Sequence, residues 1–171
     1  METCYINIFG GPGVGKSTFA AGLFHHLKRK GVECEYVSEV AKDLVWEDRQ
    51  KTLSIQPYVD AKQYRNLKRL QGKVAYVITD SPVLKGVAYA EIYTDLPPAY
   101  TTLLHWMHKD LGISRNLMLK RTDVYSQVGR NETQLQAELV DKELNCLGIY
   151  FEVPISAQSV AQSIKASAAN G

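Results

Sequence analysis

The chain opens on a short run of aromatic and branched residues, 5–9, which gives way at once to glycines and then to a helical period over 17–30. A β-prone run followed by glycines and a period near 3.6 predicts a strand, a tight loop and a helix. Gly31 ends that helix after Lys28, Arg29 and Lys30, cations placed at the negative end of the helix dipole. Residues 33–38 predict a second strand, and 39–46 a segment leaving its carboxyl end. Pro57 starts a helix to about Leu70, with Val59, Gln63, Leu67 and Leu70 on one face and Lys62, Arg65, Lys68 and Arg69 largely around it.

The nearly unbroken apolar run 74–79 is the pattern of a strand covered on both faces of a parallel sheet. A mixed stretch follows Pro82 to Tyr93, then the break Leu96-Pro97-Pro98 and a helix over 100–111. Residues 116–120 predict a fourth strand, 134–147 a helix, 150–153 a fifth strand, and 157–171 a short helix fraying in a Ser/Ala/Asn/Gly-rich tail. Strands alternating with helices imply an α/β fold, a five-stranded parallel sheet with helices on both faces in three layers. Ligands in such folds gather beyond the carboxyl ends of the strands, where residues 10–17, Glu39, Asp80 and the segment after Lys120 should converge.

A length of 171 residues and a hydrophobic share of 45% suit one domain, 1–171, with one core. The net charge of +2 makes the surface mildly basic, which neither requires nor excludes a nucleic acid partner. Cys4, Cys34 and Cys146 are widely spaced and form no C-x-x-C pair, so neither a disulfide framework nor a zinc site is expected. No apolar run has the length of a membrane span, and a soluble cytoplasmic protein is the expectation.

Gly10-Gly11-Pro12-Gly13-Val14-Gly15-Lys16-Ser17 matches G-x-x-x-x-G-K-[ST] in full, with the strand before it and the helix after it that the motif requires. Its glycines let backbone amides turn toward phosphate oxygens, and the helix start adds a positive dipole end, so a P-loop NTPase fold binding ATP and Mg²⁺ is expected. Lys16 should reach the β- and γ-phosphates, Ser17 should ligate Mg²⁺, and Thr18 should cap the helix or contact the α-phosphate. Asp80, at the end of the apolar strand, is the second candidate metal contact; a helix cap is the plainer reading.

Glu39 follows the second strand where a carboxylate could accept a proton from an attacking hydroxyl, with Asp43 as runner-up. Arg121 lies just past the fourth strand, and Arg130 lies in the polar segment 125–132 with a glycine hinge. That placement suits a lid over about 121–134 whose arginines meet the transferring phosphoryl group, with surface ion pairs as the plainer reading. The interleaved amides, aromatics and cations of Gln56, Tyr58, Lys62, Gln63, Tyr64 and Arg65 resemble a surface that stacks a nucleobase, as an ordinary amphipathic helix also would. Trp46, Arg49 and Tyr89 could complete such a pocket.

On these residues the chain resembles the small P-loop kinases of bacteriophages. The likeness runs through residues 9–18, Ser38-Glu39, the Gln63-centred helix, Val77-Ile-Thr-Asp80-Ser-Pro82, the stretch 125–130 and Val140-Asp141. That group includes deoxynucleotide kinases and kinases of the hydroxymethyl group of 5-hydroxymethyluracil in phage DNA. The resemblance implies ATP and a modified pyrimidine in DNA as substrates, in an infected bacterial cytoplasm, with Glu39 as base and Lys16, Mg²⁺ and Arg130 bearing phosphoryl charge. A free deoxynucleoside monophosphate as acceptor, or a nucleotide switch with no acceptor, remain the alternatives.

Overall fold

The computed structural model describes residues 1–121, 133–149, 151–154 and 156–169. Along the chain come β1 (Cys4–Phe9), α1 (Lys16–Arg29), β2 (Cys34–Val37), α2 (Val40–Trp46), α3 (Gln50–Leu53) and α4 (Gln56–Lys68). They are followed by β3 (Tyr76–Thr79), α5 (Lys85–Tyr93), α6 (Pro98–Leu111), β4 (Ser114–Met118), α7 (Gln134–Asn145) and α8 (Ala157–Ala169). The strands form one parallel sheet in the order β2-β3-β1-β4.

β1 is central because it can be buried on both faces. Ile6 and Ile8 enter one core with Leu23 and Leu27 of α1 and with Val160, Ala161 and Ile164 of α8. Tyr5 and Phe9 point the other way, into cores shared with Leu67 of α4, Leu104 of α6, Leu84 and Ala88 at α5, and Val140 and Leu144 of α7. The alternation of successive side chains across a strand therefore produces the expected three layers. Burying each of these large aliphatic side chains stabilises the fold by about 1.5–3 kcal/mol. Asn7 is the polar exception on β1, and its Nδ2 donates to Asn116 Oδ1 on β4 at 2.9 Å.

The fifth strand expected over 150–153 is not formed among the described residues, which carry a four-stranded sheet. Glu152 alone bridges to the outer edge of β4: its N–H donates to Asn116 O at 2.7 Å, and its carbonyl accepts from Met118 N at 2.8 Å. Pro154 has no N–H with which to extend that ladder. An ion pair between Arg115 and Glu152, 2.6 Å, pins the single bridge in place. The segment 39–46 is a helix with Glu39 as its N-cap residue, and the mixed stretch after Pro82 holds α5. No helix among the described residues is long and apolar enough to cross a membrane.

Candidate active site

β1 delivers the chain into the glycine loop, and α1 begins at Lys16 immediately after it. Gly15 has φ 91°, a left-handed backbone that a side chain would strain. Gly11 is needed for a different reason: a Cβ there would lie 2.8 Å from both Asp141 Oδ1 and an Arg121 guanidinium nitrogen. The first turn of α1 carries no acidic residue, so its positive dipole end is left for an anion.

Lys16 is only 7% exposed, and its ammonium donates to Gly11 O at 2.9 Å. Burial, reinforced by repulsion from Lys85, lowers its pKa to about 8 against the attraction of Glu39, Asp80 and Asp141. The lysine is therefore held at the loop short of a full counter-charge, which a polyphosphate would supply.

Because β3 pairs directly with β1, Asp80 at the end of β3 stands beside the loop. Its Oδ2 accepts from Ser17 Oγ at 2.5 Å and from the Tyr36 hydroxyl at 2.9 Å. Burial and then the Asp80 charge raise the Tyr36 pKa, so the phenol stays a donor. Asp80 Oδ1 is buried with no hydrogen-bond partner. A hydroxyl beside a carboxylate with an orphaned buried oxygen suits Mg²⁺, which takes one or two protein oxygens and completes its shell with phosphate and water. Among the described residues no group of three or more His, Cys, Asp or Glu side chains could hold a metal ion. Ser17 and Asp80 are the two residues that would hold the ion.

Glu39 pairs with Lys85, a lysine only 6% exposed whose ammonium also lies 4.9 Å from the centroid of the Tyr89 ring. Burial opposes the charge on Glu39, but Lys85 and then Lys16 outweigh it and hold the carboxyl below its ordinary pKa. Glu39 thus stays ionised at the loop.

Arg121 does not reach into the cavity. Its guanidinium donates to Asp141 Oδ2, to Pro12 O at 2.8 Å and to Ala137 O at 3.3 Å, while Asp141 Oδ1 accepts from Gly11 N at 2.5 Å. The expected phosphoryl contact becomes a clamp between α7 and the phosphate loop. Arg130 and most of the expected lid lie outside the described residues.

A cavity of about 500 Å³ runs along Pro12, Gly13, Gly15, Lys16, Ser17 and Thr18 and on past Glu39 to the walls of α2, α4 and α5. Gly11 and Val14 sit in the loop without lining it. Of the residues expected to hold an acceptor, Gln56 lines this cavity, as does Tyr89, whereas Trp46, Arg49, Tyr58, Lys62, Gln63, Tyr64 and Arg65 do not. Gln63 is 3% exposed: its Oε1 accepts from Val40 N at 3.1 Å, which fixes the start of α2, and its Nε2 donates to Thr79 Oγ1 at 3.4 Å. The Tyr64 hydroxyl donates to Asp110, tying α4 to α6. Trp46 and Arg65 are exposed, and Lys62 lies over the Tyr58 ring. The polar face of α4 looks outward, and its buried side, Gln56, Val59 and Asp60, meets the cavity.

Tyr36, Asp60 and Lys85 join the site with no role foreseen from the sequence, and Asp141 is foreseen only as part of the resemblance. Two had a visible signal. Asp60 is an acid on the otherwise buried side of α4, and Lys85 is a lone cation ahead of the apolar run 86–90.

No curated protein matches the chain. A family model described as an AAA domain matches residues 5–160, from β1 into α8. That match spans the phosphate loop, Asp80 and the clamp on the loop, so the chain belongs to the AAA domain family of P-loop nucleotide-binding proteins.

Proposed function

We propose that the protein is an ATP-dependent kinase that moves a γ-phosphoryl group onto a hydroxyl of a pyrimidine base, the 5-hydroxymethyl group of 5-hydroxymethyluracil in phage DNA. The observation that supports the kinase reading is the cavity of about 500 Å³, whose lining extends from the phosphate loop to residues of α2, α4 and α5. Transfer needs room for an acceptor beside the phosphates, whereas hydrolysis needs room only for water. The choice of base rests on the resemblance to phage kinases. A free deoxynucleoside monophosphate is the second reading, favoured by Lys42, which lines the same chamber and has no ion-pair partner among the described residues.

In this reading Glu39, which lines the cavity together with Lys16, takes the proton of the acceptor hydroxyl. Phosphoryl transfer passes through a loose transition state in which the attacking oxygen needs little activation, so a carboxylate kept ionised by Lys85 suffices to take its proton. The oxygen forms the new bond to phosphorus, the bond to the leaving diphosphate breaks, and the proton ends on Glu39. Lys16 regains a full counter-charge on the phosphates, and Mg²⁺ held by Ser17 and Asp80 would neutralise charge on the departing oxygens. The role of Arg130 as a cation on the transferring group is carried over from the resemblance. A base in a duplex must first be flipped out, at a cost of a few kcal/mol, about as much as stacking on Tyr89 could return.

The test offers γ-labelled ATP with hydroxymethyluracil-containing DNA, unmodified DNA and a panel of free nucleotides. Label in the modified DNA alone, weakening as salt rises, is the expected result. Label in a free nucleotide alone moves the acceptor reading to the monophosphate, and hydrolysis unaffected by any acceptor overturns the kinase reading.

A further inference from the structure

At the far wall of the cavity, Asp60 sits on α4 with 7% of its surface exposed. Its Oδ2 accepts from Gln56 Nε2 at 2.9 Å and from the Tyr100 hydroxyl at 2.5 Å. Its Oδ1 takes no hydrogen bond among the described residues, yet it retains accessible surface, unlike the fully buried Oδ1 of Asp80. The carboxylate is thus anchored through one oxygen, and the other is left to the cavity.

The neighbouring helix makes room for this arrangement. Gly86, in the first turn of α5, also lines the cavity, and a Cβ there would stand 2.5 and 2.6 Å from the two carboxylate oxygens. Any other residue at that position would force Asp60 off its anchors. The same cavity is also lined by Val59, Tyr89 and Tyr93, apolar and aromatic surface of the kind that covers a planar ring.

We infer that Asp60 is the specificity-determining residue of the acceptor subsite, and that its Oδ1 accepts a hydrogen bond from the imide N–H of a uracil-type base. This rests on the kinase reading only for the identity of the chamber as an acceptor site. An ionised carboxylate is acceptor-only. It matches the N3–H donor of a uracil-type base and repels the bare N3 acceptor of cytosine, whose own lone pair would face it. Burial raises the Asp60 pKa against the opposing pull of the Tyr100 and Gln56 donors on Oδ2 and the positive charge of Lys85, so a donor arriving at Oδ1 relieves a group that is otherwise under-solvated.

The experiment measures binding by calorimetry with the full chain and three nucleosides: 5-hydroxymethyl-2′-deoxyuridine, its N3-methyl derivative, and its 3′-deoxy derivative. A hydrogen bond to a charged group predicts that N3-methylation weakens binding about tenfold to hundredfold. Removing the 3′-hydroxyl should change it less than threefold. Asp60→Asn should weaken the parent nucleoside by a similar factor and abolish the further loss on N3-methylation, with its thermal melt checking that it folds. Because the wild-type comparison of the two nucleosides needs no variant, a misfolded Asp60→Asn does not shelter the inference. Equal affinity for the N3-methyl derivative, loss confined to the 3′-deoxy compound, or no binding of any nucleoside overturns it. Asp60-dependent binding without phosphate transfer in the labelling assay overturns the kinase reading and leaves the subsite standing; transfer to the N3-methyl acceptor at undiminished kcat/KM does the reverse.

Discussion

The buried lysine of the phosphate loop turns nucleotide binding into a proton-coupled reaction. Lowering the Lys16 pKa from 10.5 to about 8 corresponds to roughly 3 kcal/mol against the ammonium in the ligand-free protein. With that pKa, about nine tenths of Lys16 is neutral at pH 9 and about one tenth at pH 7. A bound polyphosphate restores the charge, so binding Mg-ATP should take up about 0.9 proton at pH 9 and about 0.1 at pH 7. Above pH 8 the affinity should fall toward tenfold per pH unit. Calorimetric titrations at each pH, in two buffers of different ionisation enthalpy, give the uptake directly. Lys16→Arg keeps its charge throughout and should show no rise in uptake. Equal uptake by wild type at both values, or the same rise in the arginine variant, would refute the reasoning. The sign for stability follows from the same shift: between about pH 8 and 10.5 the unfolded chain binds more protons at Lys16, so this group makes the ligand-free fold more stable as pH rises. Cys4 and Cys34, whose burial raises their pKa values, act in the opposite direction above about pH 9.

Three further outcomes are expected. Glu39→Gln should lower kcat by about 10² to 10⁴ and leave the dissociation constant for Mg-ATP within a few fold, as measured by single-turnover transfer and calorimetry; normal turnover would assign the proton elsewhere. Asp141→Ala leaves Gly11 N–H and Arg121 without their shared acceptor, which should cost about 1–3 kcal/mol in urea unfolding and weaken nucleotide binding; a change under 0.5 kcal/mol would show that the clamp is idle. Asp80→Asn keeps an acceptor for Ser17 and Tyr36 but removes the charge, so the gain in ATP affinity on adding Mg²⁺ should largely vanish while metal-free binding persists, a comparison made with and without chelator.

The phosphate half of the site was legible because its signals are local. Residues 10–17 carry their own backbone requirements, and β1 and β3 are largely apolar runs that end at the loop and at Asp80. The acceptor half is assembled from side chains whose roles depend on tertiary neighbours. Helix α5 is apolar on nearly every side because it packs against α4, α6 and α7, so it shows no amphipathic period and the sequence reading left it as a mixed stretch. On α4 the polar stripe through Tyr58, Lys62 and Arg65 drew attention as a binding face, whereas the cavity lies on the side of Val59 and Asp60. The fifth strand failed for a reason that was written in the chain, since Pro154 stops the ladder after one residue. Arg121 lies beside the loop, and Asp141, the group that holds it there as a clamp, comes twenty residues later on α7.

Helix α8 backs the helix that carries the phosphate-loop residues. It contributes Val160, Ala161 and Ile164 to the core that supports α1. The helix that carries Lys16 and Ser17 therefore packs against the sheet on one flank and α8 on another. Loosening α8 would thus be felt at the phosphate loop through the body of α1, with no residue of the site itself altered.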